Sequence, residues 1–207
     1  MKSIIDRIIE KEWRMFQDIN KGHARADCQE NPEMFARMRR AQFGAWSEEA
    51  CRSYEQDLIS AEAAGRNLPE EKYIHMMARC MPEDYAALCG RLPELPSEHL
   101  RLAEAVNCRL MDEIRVMREK YPFLNRIGRP LEPSGDNAVD TSVETYQLGE
   151  LLTYSQQTLN ALLRHIDALK AQGDSLAMQI QLASLQTTGV SSFEDAAELV
   201  VYGRPLG

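Results

Sequence analysis

Residues 141–173, TSVETYQLGELLTYSQQTLNALLRHIDALKAQG, carry the clearest helical pattern in the chain. Their apolar residues recur at spacings of three, four and seven, which is typical of one face of a helix. Thr141 with Glu144 predicts a capping box at the start. We therefore expect one helix over 142–172, although Ser155 stands where the pattern calls for a leucine. The apolar positions are Leu148, Leu152, Leu159, Leu162, Ile166 and Leu169.

Helical signals extend over most of the remaining chain. Capping residues and first-turn prolines start several helices, and Asn31 followed by Pro32 is a strong example. No run of alternating polar and apolar residues indicates a strand. The prolines and glycines of 121–140 predict a long irregular loop, a kind of segment that is often functional. The sequence therefore predicts an all-α, multi-helix array in one domain over 1–207, with two long helices at about 97–120 and 142–172.

Composition limits the classes of function. The formal net charge is −8 and the pI is about 5.1, which argues against non-specific binding to nucleic acid or to an anionic membrane. Residues 21–46 hold five basic and three acidic side chains, so an anion-attracting surface is expected near the second helix. No stretch approaches the roughly 18 apolar residues of a membrane span, and the N-terminal residues do not resemble a signal peptide.

Metal and nucleotide motifs are missing from the sequence. The five cysteines form no C-x-x-C pair, so we expect free thiols in a reducing cytoplasm. The Glu-x-x-His pairs of di-iron bundles are absent, as are the phosphate-binding glycine loops and the zincin motif. Glu71 and His75 stand at i and i+4 and supply at most half of a metal site. We predict no metal, and the sequence leaves any cofactor unidentified.

The loop over 22–31 is the first candidate site. Cys28 lies just before a predicted helix start, where the helix dipole favours a thiolate. Arg25 offers a planar fork that suits a carboxylate or phosphate. A buried cysteine and an arginine that ties down the loop are the alternative interpretations, since most cysteines are simply buried.

A second candidate set consists of Glu12, Arg39 and Gln42. Each is polar on a helix face that otherwise has the pattern of a core, and Arg39 is four residues from both Phe35 and Phe43. A buried ion pair between Glu12 and Arg39 is the structural interpretation. The functional interpretation is a polar cavity with apolar and aromatic walls, as small-molecule pockets usually have.

A third candidate set lies at the start of the 142–172 segment. Glu150 is four residues from both Tyr146 and Tyr154, so its carboxylate can accept a hydrogen bond from either phenol. A desolvated carboxylate and phenol can perform acid–base chemistry, whereas a hydrogen-bonded helix surface is the plainer alternative. Gly149 inside a helix costs about 1 kcal/mol against alanine. It indicates close approach of another backbone or of a ligand.

Three segments resemble a known bacterial family. They are G-H-A-R-A-D-C-Q-E (22–30), F-A-R-M-R-R-A-Q-F-G-A-W (35–46) and T-S-V-E-T-Y-Q-L-G-E-L-L-T-Y-S (141–155). The chain is similar to domain-of-unknown-function family 4125 over nearly its full length. The resemblance implies a helical, cytoplasmic protein of anaerobic or gut-type bacteria. It implies no activity and transfers no catalytic residue.

The leading interpretation is a cytoplasmic protein that binds a small polar or anionic metabolite. Its pocket is expected between the first two helices, the 22–31 loop and the start of the 142–172 helix. A Cys28-dependent enzyme and a non-enzymatic interaction module or homodimer are the alternatives. The expected catalytic residues are Cys28, Glu150 and Tyr154, and the expected ligand-binding residues are Glu12, Arg25, Gln29, Arg39, Gln42, Glu144 and Tyr146.

Overall fold

The computed structural model describes residues 2–19 and 29–202, and within these ranges it contains eleven α-helices and no strand. The prediction of an all-α fold is confirmed. The helices are α1 (Ile4–Asp18), α2 (Pro32–Gly44), α3 (Glu48–Ala63), α4 (Leu68–Cys80), α5 (Pro82–Leu88), α6 (Ser97–Lys120), α7 (Leu124–Ile127), α8 (Val143–Leu151), α9 (Gln156–Ala171), α10 (Leu176–Gln186) and α11 (Phe193–Val201).

Helix starts follow the capping chemistry of the sequence in most places. The Ser3 hydroxyl accepts a hydrogen bond from the Asp6 backbone N–H at 3.1 Å, and the Asn31 side chain accepts one from the Met34 N–H at 2.9 Å. Such caps satisfy N–H groups that have no partner within the helix. The long helix predicted at 97–120 is present with those bounds as α6.

The predicted single helix over 142–172 is wrong, because the chain breaks into α8 and α9 at Ser155. Ser155 caps α9: its hydroxyl accepts a hydrogen bond from the Thr158 N–H at 3.2 Å. The Asp57 carboxylate on α3 accepts from the Ser155 N–H at 2.9 Å and from the Thr158 hydroxyl at 2.6 Å. The serine that interrupts the apolar pattern is therefore the start of a second helix, stabilised by an acid distant in sequence.

The start of α8 also differs from the prediction. Ser142, not Thr141, is the capping residue, since its hydroxyl accepts from the Thr145 N–H at 3.2 Å. Asp136 in the preceding loop accepts hydrogen bonds from the Ser142 N–H and the Thr145 hydroxyl, each at 2.5 Å. The loop predicted at 121–140 is also less irregular than expected, because it contains α7 and a short 3-10 turn over Pro133–Gly135.

The apolar residues form two clusters. The larger includes Ile8, Phe43, Leu58, Val106 and Leu162, all 1 % exposed or less, and it joins α1, α2, α3, α6 and α9. Fully burying a side chain of this size stabilises the fold by roughly 1.5–3 kcal/mol. The smaller cluster joins the end of α6 to α7, α10 and α11. Its buried members are Met117, Phe123, Leu124, Leu185, Val190, Phe193 and Ala196.

Helices α4 and α8 approach each other closely at Gly149. A Cβ atom at this position would lie 2.8 Å from Met76 Cγ and 3.0 Å from the backbone oxygen of Lys72. The absence of a side chain therefore lets the two helices touch, as the glycine within a helical pattern predicted. This contact places α4 side chains beside those of α8 at the candidate site.

Within the described ranges, no helix is both long and apolar enough to cross a membrane.

Candidate functional site

Arg39 on α2 links two carboxylates from different helices. Its Nε donates a hydrogen bond to Glu12 Oε2 at 2.7 Å, and its Nη2 donates to Glu12 Oε1. Nη1 and Nη2 each donate to Glu150 Oε1 at 3.1 Å, and Nη1 also donates to Gln42 Oε1 at 2.8 Å. All parts of the guanidinium are thus engaged, and α1, α2 and α8 are tied together.

Lys72 on α4 approaches the same carboxylate from the other side. Its Nζ donates a hydrogen bond to Glu150 Oε2 at 2.5 Å and lies 3.5 Å from the ring centroid of Tyr146. An ammonium has three N–H donors. Among the described residues, Glu150 is the one hydrogen-bond acceptor of Lys72, although the lysine is only 8 % exposed. Lys72 therefore has N–H donors beyond the one that Glu150 accepts.

Two buried tyrosines complete the cluster. The Tyr54 hydroxyl donates to Glu12 Oε1 and the Tyr154 hydroxyl donates to Glu150 Oε1, both at 2.6 Å. Their ring centroids are 4.7 Å apart. The Gln42 side-chain amide donates to Glu150 Oε1 at 3.0 Å. We call the set formed by Glu12, Arg39, Gln42, Tyr54, Lys72, Glu150 and Tyr154 the central cluster.

The formal charges of the central cluster balance, with two carboxylates and two cations. Burial raises the pKa of the Glu150 carboxyl, but the charges of Arg39 and Lys72 outweigh it, and the pKa lies well below its ordinary value. Burial lowers the pKa of Lys72, but the charge of Glu150 more than offsets this, and the net direction is upward. Burial and the neighbouring Glu150 raise the pKa of Tyr154 well above its ordinary value. At neutral pH Glu150 and Lys72 are charged and the phenol is neutral.

A cavity of about 220 Å³ lies against the central cluster, between α1, α2, α4 and α8. Its charged lining comes from Glu12, Arg39, Lys72 and Glu150, and its remaining lining, apart from Thr153, is apolar or aromatic. The apolar and aromatic residues are Phe16, Met34, Phe35, Met38, Tyr54, Leu68, Pro69, Tyr73 and Tyr146. We call this space the Lys72 cavity.

A second cavity of about 590 Å³ lies on the α6 and α10 side of α8. Met38, Tyr146 and Glu150 line both cavities, so they form the wall between them. Two arginines, Arg118 and Arg129, line the second cavity only. We call this space the arginine cavity.

The structure brings most of the expected site residues together. Glu12, Arg39, Gln42, Glu150 and Tyr154 are in direct hydrogen-bond contact, as described above. The ion pair expected between Glu12 and Arg39 is present. Tyr146 contacts Lys72 through its ring. Side chains from α1, α2 and α4 thus meet Glu150 of α8 at this point.

Two of the expected residues, Glu144 and Gln29, are not part of this arrangement. Glu144 lies 3.4 Å from Arg79 Nη1 in an ion pair and lines neither cavity. Gln29 is buried, and its side-chain amide donates to the backbone oxygens of Phe16 at 2.9 Å and Ile19 at 3.2 Å. Arg25 and Cys28 lie outside the described residues.

Two members of the central cluster, Lys72 and Tyr54, are not among the site residues that the sequence predicts. The signal for Lys72 was present, because it stands four residues after Leu68 and four before Met76 and so shares their buried face. Tyr54 stands four residues before Leu58, but a tyrosine on an apolar face looks like an ordinary core residue. Its hydrogen bond to Glu12 depends on how α1 and α3 pack.

Of the two residues with the spacing of half a metal site, Glu71 and His75, only Glu71 has a side-chain partner among the described residues. Glu71 forms a two-point ion pair with Arg66, at 2.8 and 2.6 Å. The His75 Nε2 atom is buried and has no hydrogen-bond partner. In the part of the chain that the structure describes, no group of three or more His, Cys, Asp or Glu residues is arranged to hold a metal ion.

Three comparisons with known proteins were made. The search of curated proteins and the search of solved structures each gave no match. A family model described as "Protein of unknown function (DUF4125)" matches residues 2–198 of the 207-residue chain. The match covers the central cluster and both cavities, and the chain therefore belongs to the DUF4125 family.

Proposed function

We propose that this protein binds a small molecule in the Lys72 cavity. The ligand has an apolar or aromatic body and one hydrogen-bond acceptor, a carboxylate or carbonyl oxygen, that contacts Lys72. The observation that carries the proposal is the buried ammonium of Lys72, which lines the cavity and has one hydrogen-bond acceptor among the described residues. Buried donors are nearly always satisfied, so an unused one beside a cavity favours a ligand or water acceptor.

The volume of the Lys72 cavity limits the size of this ligand. A volume of about 220 Å³ holds on the order of seven water molecules at liquid density. It is below the range of roughly 300–1,000 Å³ that is typical of drug-sized ligands. A single aromatic ring or short alkyl chain with one acid group fits, whereas a nucleotide does not. Met34 and Met38, which are 46 % and 49 % exposed, give the entrance adaptable apolar walls.

The charge states favour binding over proton transfer. An efficient general acid or base has a pKa near the working pH. The pKa of Glu150 lies far below neutral pH and that of Tyr154 far above it, so we assign both a positioning role. The pKa of Lys72 is raised, so its amine stays protonated and is a donor to an acceptor group rather than a nucleophile.

The test is a thermal-shift and calorimetric titration with benzoate and with benzyl alcohol. A ligand of the native state raises Tm by mass action, and we expect benzoate to raise it more than the alcohol. Met34→Trp fills the entrance of the Lys72 cavity and should abolish the benzoate shift, because Met34 lines that cavity and not the arginine cavity. Val116→Trp, at an exposed position on α6, is the matched control.

Lys72→Met tests the acceptor contact itself, with the exposed Lys170→Met as its control. The preference for benzoate over benzyl alcohol should disappear in Lys72→Met only. If Lys72→Met does not fold, Met34→Trp decides the question, since Met34 is half-exposed and belongs to no ion pair. Equal benzoate binding by wild type and Met34→Trp, or no binding by wild type, contradicts the proposal.

A further inference from the structure

Arg118 and Arg129 are cations without acidic partners. Among the described residues, neither has a carboxylate within ion-pair distance, whereas Arg39, Arg66 and Arg115 each pair with at least one acid. Arg118 Nη2 donates to the backbone oxygen of Arg129 at 3.0 Å, and its Nη1 lies 3.4 Å from Asn125 Oδ1. A guanidinium carries five N–H donors, so Arg118 keeps unused donors.

Arg129 is held at the entrance of the same cavity. Its Nη1 donates to the backbone oxygen of Thr141 at 3.1 Å, and its guanidinium carbon lies 4.9 Å from the ring centroid of Tyr146. The side chains of Arg118 and Arg129 are thus positioned by neutral groups, which leave their positive charges uncompensated. Burial lowers the pKa of Arg118, and no acid in the part of the chain that the structure describes offsets this effect.

Gly128 lets the Arg118 side chain lie directly against the loop that carries Arg129. A Cβ atom at this position would lie 3.1 Å from Arg118 Nη2, so the glycine allows the backbone to pass directly against the guanidinium. The Arg118 guanidinium therefore lies close to the backbone at Gly128 and donates a hydrogen bond to the backbone oxygen of Arg129. The position of the charge is set by the fold rather than by a flexible surface side chain.

The remaining lining of the arginine cavity suits an amphipathic ligand. Its volume of about 590 Å³ lies within the range of roughly 300–1,000 Å³ that is typical of ligand sites. The walls combine apolar side chains with a few amides. Glu150 also lines it, but Arg39 and Lys72 already compensate that charge. The apolar members include Leu110, Ile114, Leu124, Ile127 and Ile180, and the amides are Gln42, Gln147 and Gln181.

We propose that Arg118 and Arg129 form a binding site for the oxyanion group of a second ligand, a phosphate ester or carboxylate whose apolar part occupies the arginine cavity. Guanidinium groups bind such oxyanions through paired, charge-assisted hydrogen bonds. This site lies across Tyr146 from Lys72, and it does not depend on ligand binding in the Lys72 cavity. Trp46 lines the arginine cavity and the second tryptophan, Trp13, does not, so fluorescence measured in a Trp13→Phe background provides a local reporter.

The probe is phenyl phosphate, titrated by calorimetry and by tryptophan fluorescence. We expect binding at millimolar concentration or better, and a loss of about tenfold or more in affinity for Arg129→Gln. Arg126→Gln is the matched control: Arg126 is exposed, has no acidic partner among the described residues and lines neither cavity. Its affinity should stay close to wild type. Arg118→Gln should weaken binding as well, and Arg129→Gln keeps the test decisive if Arg118→Gln disturbs the loop.

Four results would overturn the inference. They are no binding of phenyl phosphate by wild type, unchanged affinity of Arg129→Gln, equal losses in Arg129→Gln and Arg126→Gln, and loss of binding in Met34→Trp. The last of these would place phenyl phosphate in the Lys72 cavity. Retained phenyl phosphate binding by a Met34→Trp protein that no longer binds benzoate would separate the two sites.

Discussion

The central cluster and the arginine cavity use the same residue type in opposite ways. In the central cluster, Arg39 directs its donors to Glu12, Gln42 and Glu150, and the charges cancel within the fold. In the arginine cavity, Arg118 and Arg129 contact neutral oxygens, and their charges remain uncompensated. Arg39 therefore fixes the arrangement of helices, whereas Arg118 and Arg129 keep donors for a ligand. The comparison predicts large effects on stability from the first region and effects on binding from the second.

The largest effect is expected for Glu150→Gln. Removing this carboxylate leaves Arg39 and Lys72 with one acid between them in a buried site, and breaking a buried ion pair costs about 3–5 kcal/mol. Urea unfolding, monitored by circular dichroism, measures the free energy of unfolding. Glu132→Gln is the control, since Glu132 pairs with Arg115 at the surface and is 49 % exposed. That change should cost under about 1 kcal/mol. Similar decreases in the free energy of unfolding of the two variants would show that the central cluster stabilises the fold no more than a surface ion pair does.

Gly149→Ala tests the helix contact that positions Lys72 beside Glu150. Alanine favours a helix by about 1 kcal/mol over glycine, but here its methyl group would lie 2.8 Å from Met76 Cγ and 3.0 Å from the Lys72 backbone oxygen. Overpacking of this kind costs about 1–3 kcal/mol, so we expect net destabilisation in thermal unfolding. Gly44→Ala is the control, because a Cβ there meets nothing within 4 Å. A stabilised Gly149→Ala would mean that α4 and α8 separate easily.

His75 offers a third case, because its buried Nε2 atom has no hydrogen-bond partner among the described residues. Burial, together with the charge of the nearby His99, lowers the pKa of His75 to about 4. The unfolded chain binds a proton near pH 6.5, and the folded chain does so only near pH 4. The free energy of unfolding is therefore highest above about pH 6.5. It decreases as the pH falls toward 4, because over this range the unfolded chain binds a proton at His75 that the folded chain does not.

His75→Leu should flatten this pH dependence. Between pH 7 and pH 5, wild type should lose about 1 kcal/mol more than His75→Leu, because the partial exposure of the side chain screens part of the shift. At pH 7 the substitution should be nearly neutral, since the Nε2 atom has no hydrogen bond to lose. Urea titrations at the two pH values measure the difference. Parallel pH profiles would indicate that a water molecule or a ligand satisfies the imidazole.

The sequence was informative where a polar residue stood at helical spacing from apolar ones. Glu12 and Arg39 were recognised in this way, and both belong to the central cluster. The same spacing rule identifies Lys72, which stands four residues from both Leu68 and Met76. The break at Ser155 could not be read locally, because one serine in an apolar seam does not reveal the Asp57 carboxylate that accepts from its N–H.

The cavities were beyond sequence reasoning for a different reason. Their volumes depend on the distances between helices that are far apart in the chain, such as α2, α6 and α10 around the arginine cavity. Arg118 and Arg129 carry no helical-face signal, since one lies near the end of a helix and the other in a loop. Their lack of an acidic partner is a property of the folded chain, and no local pattern encodes it.

The smallest effect on stability is expected for Arg129→Gln in the absence of any ligand. Arg129 is exposed, its hydrogen bond is to the backbone oxygen of Thr141, and it has no acidic partner among the described residues. Surface substitutions without such a partner usually stay within about 0.5 kcal/mol, and urea unfolding should show no larger change. If Arg129→Gln is as costly as Glu150→Gln, then Arg129 supports the loop before α8, and the contrast between the two regions fails. If Arg129→Gln leaves the free energy of unfolding unchanged but weakens phenyl phosphate binding, the charge of Arg129 serves recognition of the anion rather than stability of the fold.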